Sequence, residues 1–162
     1  MRLDDAAVWQ VLASVPDPEI PTISITELGI VRAVQCVEDV ITITVTPTYA
    51  GCPATEVIQA DIRQALLAAG AVDVHLRTQL TPPWTTDWLS ADTRAKLNAN
   101  GIAPPCSTAA SNTHTLVFRP RVLCPRCDSP RTECLSAFGA TACKALYRCL
   151  ECREPFEYFK AF

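Results

Sequence analysis

Apolar positions along the first half of this chain change period from helical to extended and back. Val8, Val11, Leu12 and Val15 fall at i, i+3, i+4 and i+7. That spacing predicts a helix over residues 4–14, with Asp4 or Asp5 as its cap. Pro16 and Pro18 end it. The run Asp17-Pro18-Glu19-Ile20-Pro21 reads as an extended loop, because each proline pins φ and biases the residue before it away from the helical region. Residues 29–37 and 40–46 then read as paired strands around Glu38-Asp39. In the second strand Ile41, Ile43 and Val45 alternate with Thr42, Thr44 and Thr46, a period of two with one buried face. A helix is predicted over 53–69, with Ile58, Ile62, Ala65, Leu66 and Ala69 on its apolar face and Gly70 as its stop. Val72, Val74, Leu76, Thr78 and Leu80 alternate with polar residues and predict a third half-buried strand. The order α-β-β-α-β implies a small α+β layer with helices on one sheet face.

The second half is punctuated differently. Trp84 and Trp88 are four apart, which suits one helix face, core packing or interdomain packing. Ser90 is placed to cap a short helix ending near Asn100, with Gly101 and Pro104-Pro105 beyond it. Residues 106–115 are small and polar and read as linker. Two C-x-x-C knuckles follow, Cys124-Pro125-Arg126-Cys127 and Cys149-Leu150-Glu151-Cys152, with 21 residues between them. Each short loop brings two sulfurs to one place, and a hairpin between the knuckles carries the second pair back to the first. Four thiolates in that arrangement suit a tetrahedral Zn²⁺ site, although the intervening stretch is slightly longer than the roughly 15–20 residues usual for the pattern. Asp128 follows the first knuckle where glycine is common, and Asp tolerates left-handed backbone angles better than most residues. The bland alternatives are two disulfides or free thiols. The expected organisation is therefore an α+β domain with a short helical extension over 1–103, a linker over 104–118, and a four-cysteine, zinc-ribbon-like β subdomain over 119–162.

Composition sharpens this in three ways. With 49% hydrophobic and 19% charged residues the chain can bury a core and is not disordered by composition. The start MRLDDAAVWQ lacks the pattern of a secretory signal, and no stretch reaches the roughly 18 apolar residues of a membrane span. Nine cysteines without export signals point to metal or redox chemistry in a reducing compartment, so the expected location is the cytoplasm, with no membrane partner. The net charge of −3 divides into −6 over residues 1–118 (six Lys/Arg, twelve Asp/Glu) and +3 over 119–162 (eight against five). A zinc tetrathiolate would lower the latter to about +1, too little for a nucleic-acid footprint.

Cys52 is the second candidate for chemistry. Gly51 before it and Pro53 after it place its sulfur at or beside a helix N-cap, where free N–H groups and the macrodipole favour a thiolate. Such a group could hold iron or the edge of a cluster, act as a nucleophile, or simply pack as a buried thiol. Asp17 and Glu19 would oppose its ionisation if they approached it. His75 on a polar strand face and His114 in the linker do not make a catalytic pair. Cys36 reads as strand packing, while Cys106, Cys134 and Cys143 are unassigned by spacing. Phosphate-loop, G-x-S-x-G and H-E-x-x-H motifs are absent.

Several of these segments together carry a resemblance. Asp17-Pro18-Glu19-Ile20-Pro21, Leu28-Gly29-Ile30-Val31 and Thr46…Gly51-Cys52-Pro53 resemble the metal-sulfur cluster biosynthetic family. Pro82-Pro83-Trp84-Thr85-Thr86-Asp87-Trp88, Phe138 to Leu146 and the two knuckles extend the likeness. With them the whole chain is similar to the D-subunit family of phenylacetyl-CoA epoxidase systems. The resemblance implies an accessory, non-catalytic component of aerobic phenylacetate catabolism that assists maturation of a metal centre or iron-sulfur cluster. The implied partners are di-iron oxygenase subunits and an iron-sulfur flavin reductase. It also implies Cys52 as the reactive or cluster-handling thiol, transient iron or a cluster as cargo, and Asp17 and Glu19 as motif residues. Two other readings stand beside it: a thiol enzyme using Cys52 for redox or acyl-transfer chemistry, and a nucleic-acid-binding ribbon.

Overall fold

A computed structural model describes residues 3–106 and 121–162. The chain divides into two compact units, Met1–Trp84 and Thr85–Phe162.

The first unit begins with α1 (Asp5–Ala13), where the Asp4 carboxylate accepts from the Ala7 N–H at 2.8 Å. Val8 and Leu12 of α1 are fully buried. Strands β1 (Val31–Val37) and β2 (Val40–Val45) form the expected hairpin, closing at Val37↔Val40 with Glu38 in the left-handed region at φ 53°. Helix α2 (Ala54–Ala68) buries Ala54, Ile58, Ile62 and Leu66, and β3 (Asp73–Thr78) returns parallel to β2. The sheet order is β1-β2-β3. Its core is apolar and branched: Leu12, Ile23, Ile25, Leu28, Ile43, Val45, Ile62 and Leu66 are all 2% exposed or less. Burying each such side chain contributes about 1.5–3 kcal/mol. Trp84 closes this unit, buried, with its indole N–H donating to the Leu28 carbonyl at 2.8 Å.

Two strand expectations need correction here. The alternating pattern puts Val72 and Leu80 on a buried face, yet both are largely exposed. The paired length of β2 ends at Val40↔Asp73 and Val45↔Thr78. Residues 72 and 80 therefore lie past the sheet, and alternation alone cannot bury them. Only Val74 of that row is buried.

The second unit starts earlier than the sequence pattern suggests. Residues 85–103, expected in the N-terminal domain, belong with the cysteine knuckles. A single 3-10 turn (Thr86–Trp88) leads into α3 (Ala91–Ala99), capped by the Ser90 hydroxyl on the Thr93 N–H at 3.0 Å. The two-residue β4 (Ile102–Ala103) then pairs with β7 (Pro155–Phe159). Arg94 reinforces the join by donating to the carbonyls of Pro105 (2.6 Å) and Thr86 (2.8 Å), and Thr85 Oγ1 donates to that of Phe162 (2.9 Å). With β5 (Thr132–Ser136) and β6 (Lys144–Cys149) the sheet order is β4-β7-β6-β5. Its small core joins Ala103, Val122, Ala145, Phe156 and Tyr158 to two of the knuckle cysteines, Cys124 and Cys149. Lys144, buried, is paired with Glu157 at 2.8 Å. Of the expected linker 104–118, residues 107–118, including His114, lie outside the described residues. Cys106, expected as exposed linker, is half-buried against this core, with its Sγ donating to the Arg121 carbonyl at 3.3 Å.

Candidate metal centre and thiol loop

The knuckles are built alike. Cys124 N–H donates to Ser129 O and Cys149 N–H to Glu154 O, both at 3.0 Å and both five residues on. Within each knuckle an amide points at the first sulfur: Arg126 N to Cys124 Sγ, and Glu151 N to Cys149 Sγ, each at 3.4 Å. The residue after each knuckle takes a left-handed angle, Asp128 at φ 57° and Arg153 at φ 64°. Asp128 thus adopts the backbone that glycine usually supplies, and its N–H caps the Cys124 carbonyl at 2.9 Å. The turn chemistry is intact without the glycine.

These two loops bring Cys124, Cys127, Cys149 and Cys152 together, with ligand sulfurs all within 4.8 Å of one another. Cys124 and Cys152 sulfurs are 3.7 Å apart, Cys127 and Cys149 sulfurs 3.6 Å. Corners about 2.3 Å from a central zinc would be separated by about 3.8 Å. All four are free cysteines, and their spacing is that of ligands around an ion rather than of disulfides at about 2.05 Å. As thiols they share protons unevenly. The Ser129 amide pulls Cys127 down, but burial and hydrogen bonds with Cys149, Cys124 and Cys152 outweigh it and push it up to about 12. Burial raises Cys149, yet the amides of Cys152 and Glu151 and the neighbouring thiols bring it down to about 6. The donor set, its geometry and its inward amides fit a divalent cation bound as a tetrathiolate.

The thiol loop lies in the first unit. Gly51 turns the chain at φ 78°, a conformation that costs glycine nothing. Cys52 follows, its N–H donating to Tyr49 O at 3.2 Å and its carbonyl accepting from Thr55 at 3.1 Å. Pro53 is the N-cap of α2, so Cys52 stands one residue ahead of the cap and the helix start has no side-chain cap. The thiol is 9% exposed. At the head of the same loop Thr46 is 1% exposed, and its hydroxyl has no hydrogen-bond partner among the described residues. Thr46 heads the segment that carries the family resemblance, but its place in a strand pattern gives no sign that its hydroxyl would be buried without a partner.

Asp17 has a visible local task. Its Oδ1 accepts from the N–H groups of Glu19 (2.9 Å) and Ile20 (2.8 Å), bracing the proline loop from a buried position. Glu19 is half-buried. Among the described residues the knuckle tetrad alone brings three or more His, Cys, Asp or Glu ligand atoms within 4.8 Å, so Cys52, Asp17 and Glu19 do not form a second preassembled cluster. His75 is exposed and pairs with Asp73 at 3.0 Å. Cys36 is held protonated, up to about 11, by burial first and then by Asp5. Cys134 is exposed, and Cys143 is buried with Thr141 Oγ1 3.1 Å from its sulfur.

Comparison with known proteins gives one match in the N-terminal half and another in the C-terminal third. The Iron-sulfur cluster assembly protein family matches residues 5–75, and the PaaD zinc beta ribbon domain matches residues 108–160. A protein of Escherichia coli (strain K12), provisionally named as the D subunit of 1,2-phenylacetyl-CoA epoxidase, is 50% identical over 94% of this chain and 90% of its own length. The chain belongs to that D-subunit family. Within it, the N-terminal half also resembles shorter proteins. The Fe-S protein maturation auxiliary factor YitW of Bacillus subtilis (strain 168) is 38% identical over 49% of this chain and 78% of its own. The crystal structure of a Domain of Unknown Function DUF59 from Bacillus anthracis superposes with a TM-score of 0.53 at 27% identity, over 57% of this chain and 90% of that one. The α+β reading of the first unit and the ribbon reading of the second both stand. Among the described residues no helix is long and apolar enough to cross a membrane.

Proposed function

We propose that this protein is an accessory factor of a phenylacetyl-CoA epoxidase system that assists loading of iron or an iron-sulfur cluster into the oxygenase or its reductase. The observation that carries this reading is the composite likeness. The chain matches the D subunit almost end to end, and its N-terminal half alone matches relatives named as Fe-S protein maturation auxiliary factors. In this reading Cys124, Cys127, Cys149 and Cys152 hold one resident zinc, whose task is to cross-link the ribbon. Iron or a cluster is cargo. Cys52 is its handling thiol, shielded in a glycine-turned loop one residue ahead of the start of α2. Asp17 braces the DPEIP run, and Glu19 is a second motif residue of the same segment. The proposed division is a cargo-handling unit followed by a ribbon, working with other subunits of the system in the cytoplasm.

Anaerobic purification with iron, zinc and sulfide counted per chain tests it. One zinc is expected in both the native chain and Cys52→Ala. Iron and sulfide are expected in the native chain alone, and the variant is expected to lower the iron content of the client subunits in cells. Full client iron and undiminished growth on phenylacetate with Cys52→Ala would make Cys52 a packing residue and remove the proposed site.

A further inference from the structure

A concavity beside the second knuckle gathers three arginines whose side chains neither the proposed metal nor the proposed cargo role uses. A cavity of about 380 Å³ is lined by Arg131, Arg148, Arg153, Leu150 and Cys149. No carboxylate is part of that lining. Arg131 is 17 residues from Arg148 in sequence, and the three arginines carry no linear motif. β5 and β6 bring Arg131 and Arg148 to the same side, Leu150 N–H fixes Arg131 by donating to its carbonyl at 2.8 Å, and the left-handed turn after Cys152 delivers Arg153. Arg131 is held by Glu151 at 2.8 Å, and Arg148 by Glu133 through its Nε at 2.8 Å and its Nη2. Each guanidinium has five donors, so these carboxylates orient the forks without exhausting them. Among the described residues Arg153 has no ion pair.

We propose that this cleft is a docking site for an acidic segment of a partner protein, one that interleaves carboxylates with an apolar side chain. Three arguments select that occupant. Oriented guanidiniums match carboxylate geometry and gain charge-assisted hydrogen bonds that water gives up readily. Leu150 is 42% exposed at the cleft and offers apolar surface that a bare anion would leave uncovered. A nucleic-acid backbone is the weaker fit, because three arginines fall short of the roughly six to ten phosphate contacts of a typical DNA-binding protein. The inference does not depend on Cys52 or on any cargo.

The test uses the full zinc-loaded chain and a fluorescein-labelled octapeptide of alternating Glu and Leu, read by anisotropy. The acidic peptide is expected to bind, and a Lys/Leu peptide of the same length is not. Arg153→Gly removes the unpaired guanidinium at a position whose φ of 64° glycine accepts without strain, so folding and zinc content should be unchanged. It should weaken the acidic peptide by about tenfold, the scale of one charge-assisted hydrogen bond. Arg63→Gln on exposed α2 makes the same change in net charge away from the cleft and should leave affinity within about twofold, as surface charges elsewhere contribute little. Equal loss in both variants, indifference of Arg153→Gly with zinc retained, or displacement of the peptide by duplex DNA at lower concentration than by free acidic peptide would each overturn the proposal.

Discussion

The two units of this chain solve the same problem of stability with different materials. The first is held by branched aliphatic side chains from α1, α2, the sheet and the segment between α1 and β1, at least eight of them essentially inaccessible to water. In the second, one cluster of seven buried residues includes two knuckle cysteines, Cys124 and Cys149. A small β layer is marginal by itself, and metal cross-linking is one way such units persist. The contrast teaches where function can be placed. A unit with a full hydrophobic core can spend a cysteine on a shielded loop, whereas a unit whose core includes its cysteines cannot lose one cheaply.

Removing metal should separate the units most sharply. Apparent binding energies of about 10–16 kcal/mol for structural zinc in small peptides exceed the stability of a typical small domain. Chelation at neutral pH is expected to abolish amide protection in β5, β6 and β7 while α1, α2 and β1 to β3 keep theirs, read by hydrogen exchange. Uniform loss, or none, would break the comparison. The converse perturbation is Leu66→Ala, which empties a fully buried site on α2 and should cost about 2–5 kcal/mol. Zinc stoichiometry should be unchanged, with only the transition of the first unit moved to lower temperature. Next in size is Asp17. Replacement by Ala leaves the amides of Glu19 and Ile20 without their acceptor and should cost about 1–3 kcal/mol, while Asn keeps that oxygen and should be close to native in stability. If Asp17→Asn folds normally yet loses iron loading, the charge itself serves the cargo.

The smallest effect concerns Cys36. Its thiol is pushed up to about 11 by burial and then by Asp5, so the native state holds its proton more tightly than the unfolded chain, whose thiol titrates near 9.0. That contribution to stability is complete below pH 9 and fades as the pH rises toward 11, the sign expected when the folded form binds more protons. Alkylation near pH 7 should be slow, and Asp5→Asn should accelerate it several-fold as the thiolate becomes easier to form.

Much of this was legible in linear pattern. Asp4 and Ser90 announce their helices because a cap is a local hydrogen bond, and the knuckles announce themselves because ligand spacing is set by the loop within each pair. The affiliation of residues 85–103 was not legible. It is settled by Arg94 and by a two-residue strand, both of which depend on partners more than 50 residues away or on carbonyls that carry no sequence signal. The exposure of Val72 and Leu80 was hidden for a related reason: alternation reports a strand's faces, not where its neighbour stops. At the candidate site, the tetrad could be read from spacing alone. The brace made by Asp17, the stranded hydroxyl of Thr46 and the arginine cleft could not, since each is created by folding.

The short β4 has a consequence for anyone who would cut this chain in two. A fragment beginning at residue 119, the natural guess from the knuckles, would keep all four knuckle cysteines and lose Ile102 and Ala103 from the side of β7. The uncovered amides and carbonyls of β7 would then be available to a second molecule, and the fragment would be more prone to self-pair along β7 than the intact chain. A cut made before Thr85 carries its own cover.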